Sequence, residues 1–370
     1  MARIVTVYSD QRREFRPVDM SYVRWLKISE ALARAGHEVD IATDEPAWSR
    51  GWWRRPVEIR LAPRLRRVPL ARVRWRDYDV VKTLFHIGFE TLERFGGTGH
   101  PFIVSKLGSV VAPEDRPGIY FYGERRARLA AVQARLSRTS HHVALLSEPA
   151  RQLWRELYGG GDRLLLVPGA ADRELPPPGP DPYPAGNGAR CLFAGNVYAK
   201  GDQREANEVL VDKLNRLGAL LGARGLRLFF LGPGDVSALD PRSVTALGTV
   251  TYEESWRYLQ HADVGIVVAP GPFLHNNEST KIYHYLRAGL PVVSEAGFPN
   301  DHVVAESGLG FVAENGDMPA MAARIVEAAS ARWDRAAAVD YILRCHTWDV
   351  RAAVYDRLIA ARGAPAGAPA

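Results

Sequence analysis

Apolar and polar positions recur along this chain in two periods. Arg3-Ile-Val-Thr-Val-Tyr8 reads as a buried strand. Tyr22, Trp25, Leu26, Ile28, Leu32 and Ala35 then follow at helical spacing and end at Gly36, a natural helix stop, before a second strand at Val39-Asp-Ile-Ala42. The unit repeats, with strands over 78–83, 101–105, 143–146 and 164–167 and helices over 89–95, 124–137 and 149–158. A second series begins after 190, with strands at 191–194, 226–231, 244–248, 264–268 and 291–293 and helices at 205–221, 253–261 and 280–288. Strands alternating with helices predict parallel, doubly wound α/β sheets.

Between the two series, residues 171–190 are so rich in proline and glycine that neither helix nor strand fits, and they read as a linker. The expected domains are therefore 1–170 and 191–346. A Gly-Ala-Pro tail at 363–370 is expected to be disordered. Doubly wound sheets bind ligands at the carboxyl ends of their strands, which predicts a cleft between the domains.

Of 370 residues, 48 are basic and 42 acidic, a net charge of +6. Only six of the basic residues are lysines (Lys27, Lys82, Lys106, Lys200, Lys213 and Lys281), so a lysine here is informative and an arginine is not. No run reaches the ~18 apolar residues of a membrane helix, and the first ten residues turn polar too early for a signal peptide. A cytoplasmic location is expected. Cys191 and Cys345 lack paired spacing, so neither a disulfide framework nor a thiolate metal site is encoded.

The most unusual stretch is Trp48 to Arg76, with four tryptophans, ten arginines and a single acid, Glu58. Aromatics with cations suit an anionic membrane surface. Nucleic acid is the less favoured partner for the same residue types, and a solvated face of an arginine-biased chain is the plain alternative.

The chemistry concentrates in Asn276-Asn-Glu-Ser-Thr-Lys-Ile-Tyr-His-Tyr-Leu-Arg-Ala-Gly-Leu-Pro-Val-Val293. Ser279 or Asn277 can cap a helix whose apolar face is Ile282, Tyr285 and Leu286, with Gly289 past its end. The free N–H groups of such a helix can hold a phosphate. Lys281, in the first turn, works against the helix dipole, which suggests a ligand charge to offset it. Glu278 can accept hydrogen bonds from sugar hydroxyls.

At these residues the chain resembles the GT-B glycosyltransferases, in particular the group 1 (family 4-like) set. Leu286-Arg-Ala-Gly-Leu-Pro-Val-Val293 is similar to the family's donor-helix turn and strand. Phe193-Ala-Gly-Asn-Val-Tyr-Ala-Lys-Gly201 is similar to its phosphate loop, and Leu231-Gly-Pro-Gly234 to its Gly-x-Gly turn. Leu247-Gly-Thr-Val250 and Ala262-Asp-Val264 resemble the strands that follow. Thr347-Trp348 resembles the step before a last helix, here 347–362, that in this fold crosses back to the first domain. The likeness covers about 190–360, and the first domain only through Leu32-Ala-Arg-Ala-Gly-His-Glu-Val39.

The resemblance implies a GT-B fold of two Rossmann-like domains facing a cleft. It also implies transfer of a sugar from a UDP- or GDP-linked donor to a hydroxyl of a glycan, lipid-linked or small-molecule acceptor, without metal or cofactor. Donor contacts are then expected from Gly195, Asn196, Lys200, Gly232, Glu278, Ser279, Thr280, Lys281 and His284, with Lys200 and Lys281 neutralising the departing diphosphate. The acceptor side would carry Asp10, Arg12, Arg13, Arg16 and Lys106. An inverting reaction needs a base on the first domain, and Asp10, Asp19, His86 and His141 are candidates. The catalytic set is read as Glu278, His86 and Asp19.

Two departures matter. Where the family has two glutamates eight positions apart, this chain has Asn276 and His284, so Glu278 is expected to take the first role and His284 to neighbour the ribose. The glycine-rich loop after the first strand is replaced by Ser9-Asp-Gln-Arg-Arg-Glu-Phe-Arg-Pro17. A sugar-nucleotide epimerase or phosphorylase on the same fold, or a silent relative that binds a glycan or nucleotide, are the alternatives. Peripheral attachment at the inner face of the membrane would suit a lipid-linked acceptor.

Overall fold

The computed structural model describes residues 1–8, 20–43, 47–48, 56–112, 123–197, 204–270 and 276–363. They form two compact units. The first takes described residues of Met1–Pro113, Ala127–Pro168 and Trp348–Ala370, and the second those of Glu114–Arg126 and Gly169–Thr347.

The first unit runs β1 (Arg3–Val7), α1 (Met20–Arg34), β2 (Glu38–Thr43), a minimal antiparallel pair β3 (Ala47–Trp48) and β4 (Pro56–Val57), then β5 (Ile59–Ala62) and β6 (Leu65–Pro69). It continues with β7 (Val80–Leu84), α2 (Phe85–Arg94), β8 (Ile103–Lys106), α3 (Gly123–Thr139, of which Ala127 onward belongs to this unit), β9 (His142–Leu145), α4 (Glu148–Tyr158) and β10 (Leu164–Leu166). Eight strands lie in the order β10-β9-β8-β7-β1-β2-β6-β5. All pairs are parallel except β5 on β6 at the edge. Every residue of β7 and β8 is buried, as in a sheet covered on both faces, and this includes Lys82, Thr83, Ser105 and Lys106.

The second unit runs β11 (Arg190–Ala194), α5 (Arg204–Gly222), β12 (Arg227–Leu231), β13 (Val244–Ala246), α6 (Tyr252–His261), β14 (Val264–Val267) and α7 (Thr280–Arg287). β15 (Val292–Glu295), α8 (His302–Ser307), β16 (Gly310–Ala313), α9 (Met318–Ser330) and α10 (Arg335–Cys345) follow. Its six-stranded sheet, β13-β12-β11-β14-β15-β16, is parallel throughout. Leu214, Leu217 and Leu221 of α5 and Ile325 of α9 pack on Phe230, Val264 and Ile266 of the sheet. Thr251 and Glu254 form a reciprocal capping box at the start of α6.

The last helix, α11 (Trp348–Gly363), belongs to the first unit. It is tied to α1 and its exit by Arg34 to Asp349 at 2.8 Å and His37 Nε2 to Asp356 at 3.1 Å.

Residues 171–190, read from the sequence as a Pro/Gly-rich linker, pack onto the second unit. Tyr183 is buried with its ring 4.8 Å from Phe229, and its hydroxyl donates to the Tyr258 carbonyl at 2.9 Å. Prolines exclude regular structure there, but they do not exclude burial. The 364–370 part of the expected tail lies outside the described residues.

The Trp48–Arg76 stretch also gained structure. Leu65 and Val68 of β6 are buried, Arg66 makes a two-pronged pair with Asp40 at 2.8 and 2.7 Å, and Trp75 donates its indole N–H to the Phe95 carbonyl at 2.9 Å. Trp75 thus packs against the core of the first unit.

Candidate functional site

The C-terminal strand ends of the second sheet bring most of the expected donor residues together. β11 ends at Ala194 and turns through Gly195 and Asn196, and β12 ends at Leu231 and turns through Gly232 to Gly234. These two turns run side by side in backbone contact. Gly195 N–H donates to the Leu231 carbonyl at 2.9 Å and Val197 N–H to the Pro233 carbonyl at 3.1 Å. Glycine is required there: Gly232 has φ 148°, and a Cβ on it would lie 1.8 Å from the Gly195 carbonyl oxygen.

α7 is fastened to the same turn. Tyr285, buried on its inner face, accepts the Ala194 N–H on its hydroxyl at 2.8 Å. Its ring fills the space above Gly265 of β14, where a Cβ would lie 2.4 Å from a ring carbon. Burial pushes the phenol pKa up. One turn earlier, Lys281 sets its ammonium over the Phe193 ring, 5.0 Å from the centroid, and a Cβ on Gly195 would lie 3.1 Å from Lys281 Cε. No carboxylate pairs with Lys281 among the described residues, and desolvation lowers its pKa to about 8.

Ser279 caps α7 in an extended conformation. Its hydroxyl makes no cap bond, and the buried Oγ has no partner among the described residues. Its backbone is held instead by the buried Asn300, which accepts the Ser279 N–H and donates to the Ser279 carbonyl, both at 2.9 Å. Thr280, the first helical residue, is buried beside Gly169.

Glu278 is buried with both oxygens engaged. It accepts the Gly169 N–H on one and the Tyr283 hydroxyl, at 2.9 Å, on the other. Gly169 has no room for a side chain, since its Cβ would lie 2.6 Å from Glu278 Oε1. Arg287, at the far end of α7, donates to the carbonyls of Asp172 and Arg173. The segment following the change of unit is therefore strapped along α7. His284 points the other way, with its ring 5.6 Å from Tyr252 and 5.2 Å from Trp256 of α6.

The first unit presents fewer of the expected residues. His86 is half-buried in the first turn of α2 and follows Phe85, a non-glycine residue at φ 57°. Such a left-handed residue at a strand end stores strain and is characteristic of functional turns. Lys106 is buried and turned onto the Val167 carbonyl. His141 accepts the Ile103 N–H at 3.1 Å and precedes β9, so it lies at the N-terminal end of that strand, opposite the ligand edge of a parallel sheet. Asp10, Arg12, Arg13, Arg16, Asp19 and Lys200 lie outside the described residues.

Residues 188–331 match the family Glycosyl transferases group 1. The matched residues lie within the second unit. Over its full length the chain has the GT-B fold. A sucrose-phosphate synthase from Thermosynechococcus elongatus superimposes with a TM-score of 0.67 at 16% identity, covering 98% of this chain and 100% of that one. The trehalose-6-phosphate protein of E. coli bound with UDP-2-fluoro glucose gives 0.64 at 12%, covering 96% and 98%. WaaG, a glycosyltransferase involved in lipopolysaccharide biosynthesis, gives 0.57 at 13%, covering 96% and 95%. No curated protein matches the sequence.

Within the second unit, sequence reasoning missed the contact of Lys281 with the Phe193 ring, Tyr285's tie to Ala194, Asn300, and a buried pair of Lys213 with Glu295 at 2.7 Å. The scarcity of lysine was a signal for Lys213, and an acid closing the apolar run Pro291-Val-Val-Ser-Glu295 was a signal for its partner.

Proposed function

We propose that this chain transfers a sugar from a nucleotide-sugar to an acceptor hydroxyl, with the donor diphosphate at the N-terminal turn of α7. One observation carries the reading: Lys281, a half-buried lysine with no carboxylate partner among the described residues, stands beside Gly195 in the first turn of α7, and the cap residue Ser279 has a buried hydroxyl with no partner among them. Burying a cation without a partner is costly, and a helix start repels it, so a dianionic ligand offsets both costs. In the reaction the bond from the sugar to the diphosphate breaks, and negative charge grows on the leaving oxygen. Lys281 and the α7 N–H groups are aimed at that charge, which is electrostatic stabilisation where it is needed.

The finer assignment has the donor UDP- or GDP-linked, with the diphosphate neutralised by protein cations, Lys200 among them. Glu278 keeps lone pairs beyond those used by Gly169 and Tyr283, which supports a contact to a sugar hydroxyl. His86, presented at the end of β7, is the base candidate among the described residues. The sugar acceptor is a glycan, a lipid-linked sugar or a small molecule.

The test is product analysis with a panel of UDP- and GDP-sugars, with and without hydroxyl acceptors. Release of the nucleoside diphosphate that depends on the acceptor, with a glycosylated product by mass spectrometry, is expected. Epimerised or phosphorolysed product without acceptor would favour the epimerase or phosphorylase alternative.

A peripheral membrane contact through 48–76 is supported by exposed Ile59 and Leu61 on the edge strand β5 and by exposed Arg60, Arg72, Arg74 and Arg76. Trp75 argues only for the core. No helix of the described residues is long and apolar enough to cross a membrane. Flotation with phosphatidylglycerol vesicles but not with phosphatidylcholine vesicles is the expected outcome.

A further inference from the structure

We propose that Asn300, Glu295 and Lys213 are positioning residues that hold the N-terminal turn of α7 in its ligand-binding geometry, a role that rests on the donor reading above. None of them faces the open turn itself. Each acts on the backbone that leads into it.

Two clamps of the same design carry the argument. At Ser279 a single side chain takes both backbone groups: the N–H donates to Asn300 Oδ1 and the carbonyl accepts from Asn300 Nδ2, each at 2.9 Å. Ten residues earlier, Ala269 N–H donates to Glu295 Oε2 at 2.6 Å and its carbonyl accepts from Lys213 Nζ at 2.9 Å. An amide side chain in one place and a carboxylate with an ammonium in the other supply the donor and acceptor that a neighbouring strand would supply. Ala269 lies just past β14 and Ser279 just before α7, so the clamps sit at the two ends of the connection that delivers Glu278 and Ser279. Glu295 closes β15 and Asn300 follows five residues later, so the carboxylate and the amide come from one strand end, while Lys213 comes from α5.

The Glu295 carboxylate has its full complement of donors. It takes two bonds from Lys213 Nζ, at 2.7 and 2.9 Å, one from Ala269 N–H, and one from Gly316 N–H at 2.9 Å. The three N–H groups of Lys213 Nζ are shared among that carboxylate, the Ala269 carbonyl at 2.9 Å and Asn315 Oδ1 at 3.0 Å. Glu295 is 0% exposed, Asn300 3% and Lys213 8%, so water does not compete. For stability alone, an apolar pair of similar volume often serves as well as a buried ion pair. An apolar pair cannot fix the direction of a backbone N–H and C=O. Direction is what an anion site at a helix start needs, because its donors must converge on the ligand before the ligand arrives.

The test compares Asn300→Ala, Asn300→Asp and the double variant Lys213→Met/Glu295→Met, which keeps volume and removes both buried charges. Two readouts are needed: amide hydrogen exchange at residues 279–283, referenced to β12 and α9, and affinity for UDP and GDP by calorimetry. Exchange at 279–283 is expected to speed up about tenfold or more in Asn300→Ala and in the double variant, with β12 and α9 unchanged. Nucleotide affinity is expected to fall by about tenfold as well. Asn300→Asp keeps the acceptor for the Ser279 N–H and should lie between wild type and Asn300→Ala in both readouts. Unchanged exchange at 279–283, or faster exchange with wild-type nucleotide affinity, overturns the proposal. If the wild type binds neither nucleotide while the variants still lose protection there, the clamps stand and the donor reading fails.

Discussion

The hydroxyl of Tyr285 accepts the amide N–H of Ala194 at 2.8 Å and thereby joins the middle of α7 to the end of β11. This one bond sets the spacing between the helix that offers its N-terminus and the turn at Gly195 that faces it. Removing the hydroxyl by Tyr285→Phe leaves a backbone N–H without its partner at little cost in volume. The expected loss is about 1–3 kcal/mol of stability, read by urea denaturation, together with weaker nucleoside diphosphate binding.

Lys281 makes binding sensitive to pH in a defined direction. Its pKa is lowered to about 8 by desolvation, and a bound diphosphate raises it. Near pH 6.5 the lysine is already charged, and binding takes up no proton at this site. Near pH 8.5 binding must protonate it, so affinity falls as pH rises and the calorimetric enthalpy depends on the buffer's ionisation heat. Lys281→Met is expected to abolish both effects and to weaken binding at pH 7.

Gly232→Ala is expected to be more damaging than an ordinary loop substitution. The new Cβ would lie 1.8 Å from the Gly195 carbonyl oxygen, at a φ of 148° that side chains rarely adopt. The two turns must separate, with strain of about 1–3 kcal/mol and a shifted binding surface. Donor KM should rise more than the thermal midpoint falls. Gly248→Ala is the control, because no atom lies within 4 Å of a Cβ there, although its φ of 84° adds backbone strain of its own.

Lys82 is a liability of the first unit that a substitution can remove. It lies in the middle of β7, 2% exposed, in a small apolar cavity with its ammonium 5.0 Å from the Tyr355 ring centroid. Desolvation alone lowers its pKa to about 8. Below that pH the folded chain carries a buried charge. Between pH 8 and the ordinary lysine value the unfolded chain binds more protons than the folded one, so stability rises with pH through this window. Lys82→Met should therefore be more stable than wild type by about 3 kcal/mol at pH 7, with the gap narrowing by about 2 kcal/mol at pH 9.5. A gap that does not change with pH would contradict this account.

Both α/β series were legible because helices cover each sheet and write apolar runs into the central strands, as at Cys191-Leu-Phe-Ala194 and Val264-Gly-Ile-Val267. The elements missed are at the edges. β6 reads Leu-Arg-Arg-Val-Pro, and its arginines hide a strand because Asp40 and Thr43 on β2 are their partners, which no local window shows. β16 and α8 are too short to display a period. At the site, the residues of α7 were readable from capping, charge and the following Gly and Pro. The clamps were not, because Asn300, Glu295 and Lys213 reach Ser279 and Ala269 across sequence separations that only the folded sheet closes. His284 shows the same limit: its place on the helix was clear, but its aromatic neighbours on α6 were not.

The most direct test of the central claim is the shift in thermal midpoint caused by UDP and by GDP, measured on the wild type and on Lys281→Met at pH 7. A ligand that binds only the folded chain raises the midpoint by mass action. The account predicts a clear rise with one of the two nucleotides, largely lost in Lys281→Met. No rise with either nucleotide, or an equal rise in both proteins, would contradict a diphosphate site at the start of α7.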